Sequence, residues 1–178
     1  MQNRLKRDLK LKNKKLKMIE IRRAKRADND QIWAIIQPII QQGDTYAFAP
    51  DASREDILKY WCGRDKHTYI AVIKGEIVGT FILKDNQTGL GAHIANASYM
   101  VSMEKFGLGI GKFMGEYSIQ EARKLGYLAM QFNLVVKTNA RAVKLWESIG
   151  FSIIGEIPDA FKHQKLGLVN AFIMHRKI

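Results

Sequence analysis

The first patterned stretch of the chain, Met18-Ile19-Glu20-Ile21-Arg22, alternates apolar and polar positions and predicts an opening strand. A helical period follows, with Asp28 as a cap ahead of Ile32, Trp33, Ile35, Ile36 and Ile39; Pro38 is expected to bend or end this helix. Ser53-x-x-Asp56 resembles a capping box with Asp in place of Glu, before a second helix carrying Ile57, Leu58, Tyr60 and Trp61. Residues 68–73 and 77–83 are β-rich runs joined by Lys74-Gly75-Glu76, a hairpin signal. After a polar loop over 85–91, residues 93–103 read as a long strand. Its Ile94, Ala95, Ala97, Tyr99, Met100 and Val101 tolerate burial on both faces.

A glycine-rich turn, Phe106-Gly107-Leu108-Gly109-Ile110-Gly111, leads from that strand into a helix with Ile110, Phe113, Met114 and Tyr117 on one face. Arg123, Lys124 and Gly126 mark the end of that helix. A strand over 128–136 precedes a helix starting at Thr138 or Asn139, with Ala142, Leu145, Trp146 and Ile149 on its apolar face and Gly150 at its stop. Residues 151–157 and 169–176 are the last strands, divided by a loop over 158–167. The order is β-α-α-β-β-β-α-β-α-β-β, without an internal repeat, and predicts one domain over residues 18–178.

Composition narrows the class. The 178 residues include 47% hydrophobic side chains, as a domain with a buried core requires. A single cysteine, Cys62, excludes an intramolecular disulfide framework and fits a reducing compartment, and its context does not suggest a nucleophile. No apolar run approaches the roughly 20 residues of a membrane span, and no apolar segment marks a secretory signal, so a cytoplasmic protein is expected. No His/Cys cluster has metal-ligand spacing, and no metal is expected. The formal charge of +12 first suggests a nucleic-acid partner. Residues 1–17, however, hold eight of the 29 basic side chains and one of the 17 acidic ones, so seven positive charges lie in this leader. The leader is read as a disordered, solvated extension, with an upstream start codon as one origin and a nucleic-acid or anionic-membrane tail as the alternative. The five charges left on the domain suit a polyanionic cofactor rather than nucleic acid.

Glycines at every second position between a strand and a helix allow positive φ and close approach of a ligand to the backbone. The helix beyond offers free N–H groups and a positive dipole end, together an anion site. The spacing is neither that of a dinucleotide-binding fingerprint nor that of a P-loop, since no Gly-Lys-Ser/Thr closes it. The other reading is a tight strand–helix junction. Strand, FGLGIG, helix, strand and then Asn139-x-x-Ala142-x-x-Leu145-Trp146-x-x-x-Gly150-Phe151 together resemble the Gcn5-related N-acetyltransferase (GNAT) superfamily over residues 18–178.

The resemblance implies an α+β, α/β/α sandwich with a mixed, mostly antiparallel sheet that splays between its fourth and fifth strands, acetyl-CoA lying in the gap. The cofactor's pyrophosphate would sit on the backbone of Phe106, Gly107, Leu108, Gly109, Ile110 and Gly111, its pantetheine amides on Val101 and Met103, with Asn139 against the arm. The family motif usually opens with Arg or Gln, where this chain has Phe106; Lys105 or Lys112 would add the charge. The general-acid Tyr common in the family is replaced by Trp146, whose indole does not transfer a proton at neutral pH. Val101 N–H is the expected oxyanion donor, and His93 or Glu104 the nearest base in sequence.

Asn96 and Asn133 stand in apolar surroundings, where an amide either braces backbone or binds ligand. With Tyr99 and Pro158-Asp159-Ala160-Phe161 they resemble the branch that acetylates proline analogues and related small amino acids. That branch implies Asn96, Tyr99 and Asn133 around a small acceptor, with Asn96 also catalytic. Tyr46 and Phe48 either cover the site or pack. The expected activity is direct acetyl transfer from acetyl-CoA to the amine of a small molecule or amino acid. A protein lysine or N-terminal acetyltransferase is the alternative enzyme. A CoA-binding module with a nucleic-acid-contacting tail is the non-enzymatic alternative, and dimers are common in the family.

Overall fold

The computed structural model describes residues 19–178; Met18 and the basic leader over 1–17 lie outside the described residues. The elements run β1 (Ile19–Arg23), α1 (Asn29–Gln41), α2 (Arg54–Trp61), β2 (His67–Ile73), β3 (Glu76–Asp85), β4 (Ile94–Val101), α3 (Ile110–Lys124), β5 (Ala129–Val136), α4 (Ala140–Ser148), β6 (Ser152–His163) and β7 (Gly167–Lys177). Their order is the one the residue pattern predicts. The strands form one sheet ordered β1-β2-β3-β4-β5-β7-β6. All neighbours are antiparallel except β4 and β5, which pair in parallel only at Ile94↔Ala129 and Ala95↔Met130.

Successive strand residues point to opposite faces, and both faces are covered, which is why the central strands read as unbroken apolar runs. Tyr69, Ala71, Phe81, Ala95 and Ala97 pack with Ile110 and Met114 of α3 and Trp146 of α4. Ile70, Ile77, Ile82 and Met100 pack instead with Ile32, Ile36 and Ile40 of α1 and Ile57 and Trp61 of α2. The result is a mixed sheet between two helix layers.

Local signals act largely as their chemistry dictates. Ser53 accepts from Asp56 N–H at 3.1 Å and caps α2. Lys74 and Gly75, at φ 52 and 82, form a two-residue turn of the primed kind that suits strand twist. Three expectations need correction. Of the two effects expected of Pro38, the ending of α1 does not occur, because burial of Ile39 and Ile40 beyond it holds the last turn despite the missing N–H. The long strand expected over 93–103 is shorter, with His93 ahead of it and Met103 in the 3-10 turn Met103–Lys105. The loop expected over 158–167 is mostly strand: β6 continues through Pro158 to His163, with Asp159 at φ 51 and a register shift between Ile157 and Phe161. β6 is an edge strand, where a proline and a bulge cost no ladder bond.

α4 lies close against α3 because two α3 glycines make room for it. A Cβ on Gly115 would stand 2.8 Å from Ile149 Cδ1 and 3.1 Å from Trp146 Cζ3; one on Gly111 would stand 3.2 Å from Leu145 Cδ1. Gly115→Ala is therefore expected to destabilise the protein by about 1–3 kcal/mol through overpacking, read as a fall of several degrees in Tm. An unchanged Tm would mean that α4 shifts without cost.

Candidate functional site

The site grows from the parting of β4 and β5. Ser102 N–H donates to Val78 O at 2.9 Å and Asn86 N–H to Ile94 O at 2.8 Å, so the even-numbered residues of β4 turn their backbone groups toward β3. His93 O, by contrast, accepts from Leu128 N–H at 2.9 Å, on the β5 side. Alternation then turns the N–H and C=O groups of Tyr99 and Val101 toward β5, beyond the last residue it pairs. This leaves an open backbone edge in the middle of the sheet. The Tyr46 hydroxyl, from the α1–α2 loop, donates to the Tyr99 carbonyl on that edge. Burial pushes the Tyr46 and Tyr99 phenols above the usual tyrosine range, so both stay protonated at neutral pH.

At the C-terminal end of β4 the chain makes the glycine turn. Gly107 has φ 80, and a Cβ there would meet open space. Gly109 has φ 87 and is the N-cap of α3, so no side chain caps that helix and its first-turn N–H groups stay free. Ile110 and Gly111 belong to the helix itself. Two glycines thus serve conformation, at positive φ, and the third, Gly111, serves packing against Leu145. Lys105 is paired with Glu76 at 3.1 Å and Lys112 lies 3.9 Å from Glu116. The cation at the turn without an ion pair among the described residues is Arg141, its guanidinium 4.5 Å from the Phe106 ring centroid. The sequence reading missed it. A cation in the first turn of α4 opposes the helix dipole, and that local conflict is the signal by which it could have been found.

Four amides gather where β4 and β5 separate. Asn96 Nδ2 donates to Gln131 O at 2.9 Å, bridging the two strands just beyond their last pair, and to Asn86 Oδ1 at 3.3 Å. Asn133 Nδ2 donates to the same Asn86 oxygen at 2.7 Å, and Gln131 Nε2 donates to Asn133 Oδ1 at 2.9 Å. Asn86 and Gln131 also escaped the sequence reading, because a polar residue in a loop and one at a polar position of a strand are what those elements ordinarily carry.

The predicted site residues separate into groups. Val101, Met103, Phe106, Gly107, Leu108, Gly109, Ile110 and Gly111 line the edge and turn in sequence. Asn139 caps α4, its Oδ1 accepting from Ala142 N–H at 3.1 Å. Asn96 and Asn133 come together, but Tyr99 does not join them. Its ring lies on the opposite face against Phe81, Phe132 and Trp146, with its hydroxyl 2.6 Å from Ser118 Oγ. Ser118 donates to Gly115 O at 2.7 Å, so Tyr99 is the donor in that contact. His93 is exposed ahead of β4, its Nδ1 3.1 Å from Leu90 O, at the end of the strand far from the glycine turn. Glu104 is exposed in the 3-10 turn. Among the described residues no group of three or more His, Cys, Asp and Glu side chains converges on a metal position. No helix among them is long and apolar enough to cross a membrane.

Residues 33–151 match the model of the acetyltransferase (GNAT) family. The chain is 34% identical over 103 residues to the N-acetyltransferase aca1 of Schizosaccharomyces pombe, covering 56% of this chain and 48% of that protein. It spans less than half the length of the curated relatives it matches. A GCN5-related N-acetyltransferase from Kribbella flavida superposes with a TM-score of 0.86 at 37% identity, covering 91% of this chain and 99% of that one. The acetyltransferase yncA from Salmonella typhimurium, solved with acetyl-CoA, has the same fold, with a TM-score of 0.79 at 21% identity over 90% of this chain and 94% of its own.

Tyr46→Phe removes only the hydroxyl that binds the open edge of β4. Its expected cost is about 1 kcal/mol, read as a lower urea midpoint at unchanged m-value. A midpoint equal to the parent's would mean that water satisfies the Tyr99 carbonyl equally well.

Proposed function

The chain belongs to the acetyltransferase (GNAT) family, and from that premise we propose that it transfers an acetyl group from acetyl-CoA to the amine of a small molecule, an amino acid or close analogue. The carrying observation is the cluster of Asn86, Asn96, Gln131 and Asn133 where β4 and β5 part. Four neutral amides present both donors and acceptors and no net charge, which suits the adjacent amine and carboxylate of an amino acid. The Tyr46 hydroxyl on the β4 edge further favours a small acceptor over a polypeptide lying along the gap.

The cofactor supplies an acetyl group already activated as a thioester. Free N–H groups at the start of α3, open space beside Gly107 and the Arg141 guanidinium form a cradle suited to its phosphates. Val101 would hydrogen-bond an extended amide arm as an added strand, with Met103 in the turn beyond it. A backbone N–H on the same edge would stabilise the developing oxyanion. The amide cluster would orient the acceptor so that its neutral nitrogen attacks the carbonyl carbon directly, the C–S bond breaking, its electron pair leaving with the thiolate and the nitrogen's surplus proton passing to that thiolate or to water. The Trp146 indole does not transfer a proton at neutral pH, so the leaving thiolate has no general acid there. His93 has no part in this reading.

The test is thiol release from acetyl-CoA against amino acids, proline analogues, polyamines and peptides, with turnover expected for small amino acids. Turnover of peptides alone would overturn the acceptor class. Asn96→Ala is expected to keep the acetyl-CoA thermal shift and to lower kcat/KM for the acceptor about tenfold or more; unchanged kcat/KM would remove Asn96 from the site. Arg141→Ala is expected to raise the Kd of acetyl-CoA about tenfold, measured by calorimetry. An unaltered Kd would leave the phosphates to the backbone alone.

A further inference from the structure

The domain's positive charge does not collect at the glycine turn. It collects in an open trough of about 1090 Å³ bounded by the end of β1, the start of α1, and α2 with the residues just after it. Seven cationic side chains line the trough, among them Arg23, Lys25, Arg26, Lys59 and Arg64, against two carboxylates, Asp30 and Glu55. Those nine account for the whole five-charge excess of residues 18–178. The trough lies at the N-terminal end of α1. The other end of that helix approaches the glycine turn, where Gln42 Nε2 donates to Met103 Sδ at 3.4 Å. A helix of 13 residues separates the two places by about 20 Å.

Some of these charges are already engaged. Arg54 pairs with Asp30, Lys66 with Asp65 at 2.6 Å, and Arg23 lies 5.1 Å from the centroid of the Tyr69 ring. Lys25, Arg26, Lys59 and Arg64 are exposed and have no ion pair among the described residues. Like charges held this close repel one another, and a polyanion relieves that repulsion.

The lining also narrows the kind of polyanion. Leu58 is its largest apolar side chain, and without a deep apolar anchor a peptide gains little there. No aromatic ring lines it, so unpaired bases have nothing to stack on. Arginine forks and lysines along an open trough match the outward-facing phosphates of a duplex. We infer that this trough binds the phosphodiester backbone of double-stranded nucleic acid without regard to sequence. The leader over residues 1–17 adds seven positive charges to the same chain just ahead of β1, the strand that ends at Arg23.

The test is fluorescence anisotropy of a short labelled duplex with the full chain between about 50 and 200 mM salt. One variant combines Lys25→Gln, Arg26→Gln, Lys59→Gln and Arg64→Gln. A second removes equal charge elsewhere, with Lys144→Gln, Lys162→Gln, Lys165→Gln and Lys177→Gln. The first is expected to weaken binding at least tenfold at low salt and to reduce the slope of log K against log salt by about 3 to 4, at roughly 0.9 for each phosphate no longer neutralised. The second should leave the slope within about 1 of the parent's. Equal losses in both variants would reduce the effect to net charge, and no loss in the first would assign binding to the leader; either result overturns the trough. Tighter binding of a single strand or of a polyglutamate peptide than of the duplex overturns it too. Melting followed by circular dichroism checks folding. If the fourfold variant does not fold, Lys25→Gln/Arg64→Gln carries the test, with half the slope change expected.

Discussion

The site depends on the early separation of β4 from β5. A strand in the middle of a sheet normally spends its backbone groups on both neighbours, and an unpaired group there demands a substitute. β4 is satisfied by β3 along its length and by β5 only at Ile94 and Ala95. On one face Trp146 packs against both strands, its ring centroid 4.8 Å from both Tyr99 and Phe132. At the parting point, the Asn96 amide reaches the Gln131 carbonyl where a ladder bond would otherwise stand. Trp146 packs on both rings and the Asn96 bridge fixes the strand spacing at the parting point, so the open edge is built into the core packing.

That edge explains why the surrounding elements carry the residues they do. Gly115 and Gly111 let α4 come close enough to α3 to bring Trp146 onto Tyr99 and Phe132. The same approach brings Arg141, near the start of α4, over the Phe106 ring beside the glycine turn. One packing decision therefore serves both the gap and its charge. Acetyl transfer would then draw on groups that are mostly backbone, which accounts for the lack of any residue pattern announcing an acid or a base.

Charge is divided by place. Near the turn Lys105 pairs with Glu76 and Lys112 lies 3.9 Å from Glu116, and Arg141 is the cation there without an ion pair among the described residues. About the length of α1 away, several cations crowd one trough. A net charge counted along the chain merges these two arrangements, although only the second has the extent of a polymer.

Much of the fold was legible in the residue order. Periods of two and of 3.6, the Ser53 cap, the Lys74-Gly75 turn and the Gly107 and Gly109 positions are local properties, since each is decided by neighbours within a few residues. Where local rules met tertiary context, context prevailed: Pro38 lies inside α1 because Ile39 and Ile40 are packed, and the exposed Pro158 lies inside β6 because an edge strand needs no donor there. The candidate site was legible only in part. Asn96 and Asn133 were visible as amides among apolar neighbours, but Asn86, which joins them, comes from the loop before β4, 47 residues from Asn133. Tyr99, close to Asn96 along the strand, lies on the opposite face. The residue order alone dictates the elements, their succession and the positive-φ glycines of the turn, because those follow from contacts between near neighbours. Only the tertiary structure decided which amides meet, which cation stays free at the turn and where the excess charge gathers, because those depend on how distant segments pack.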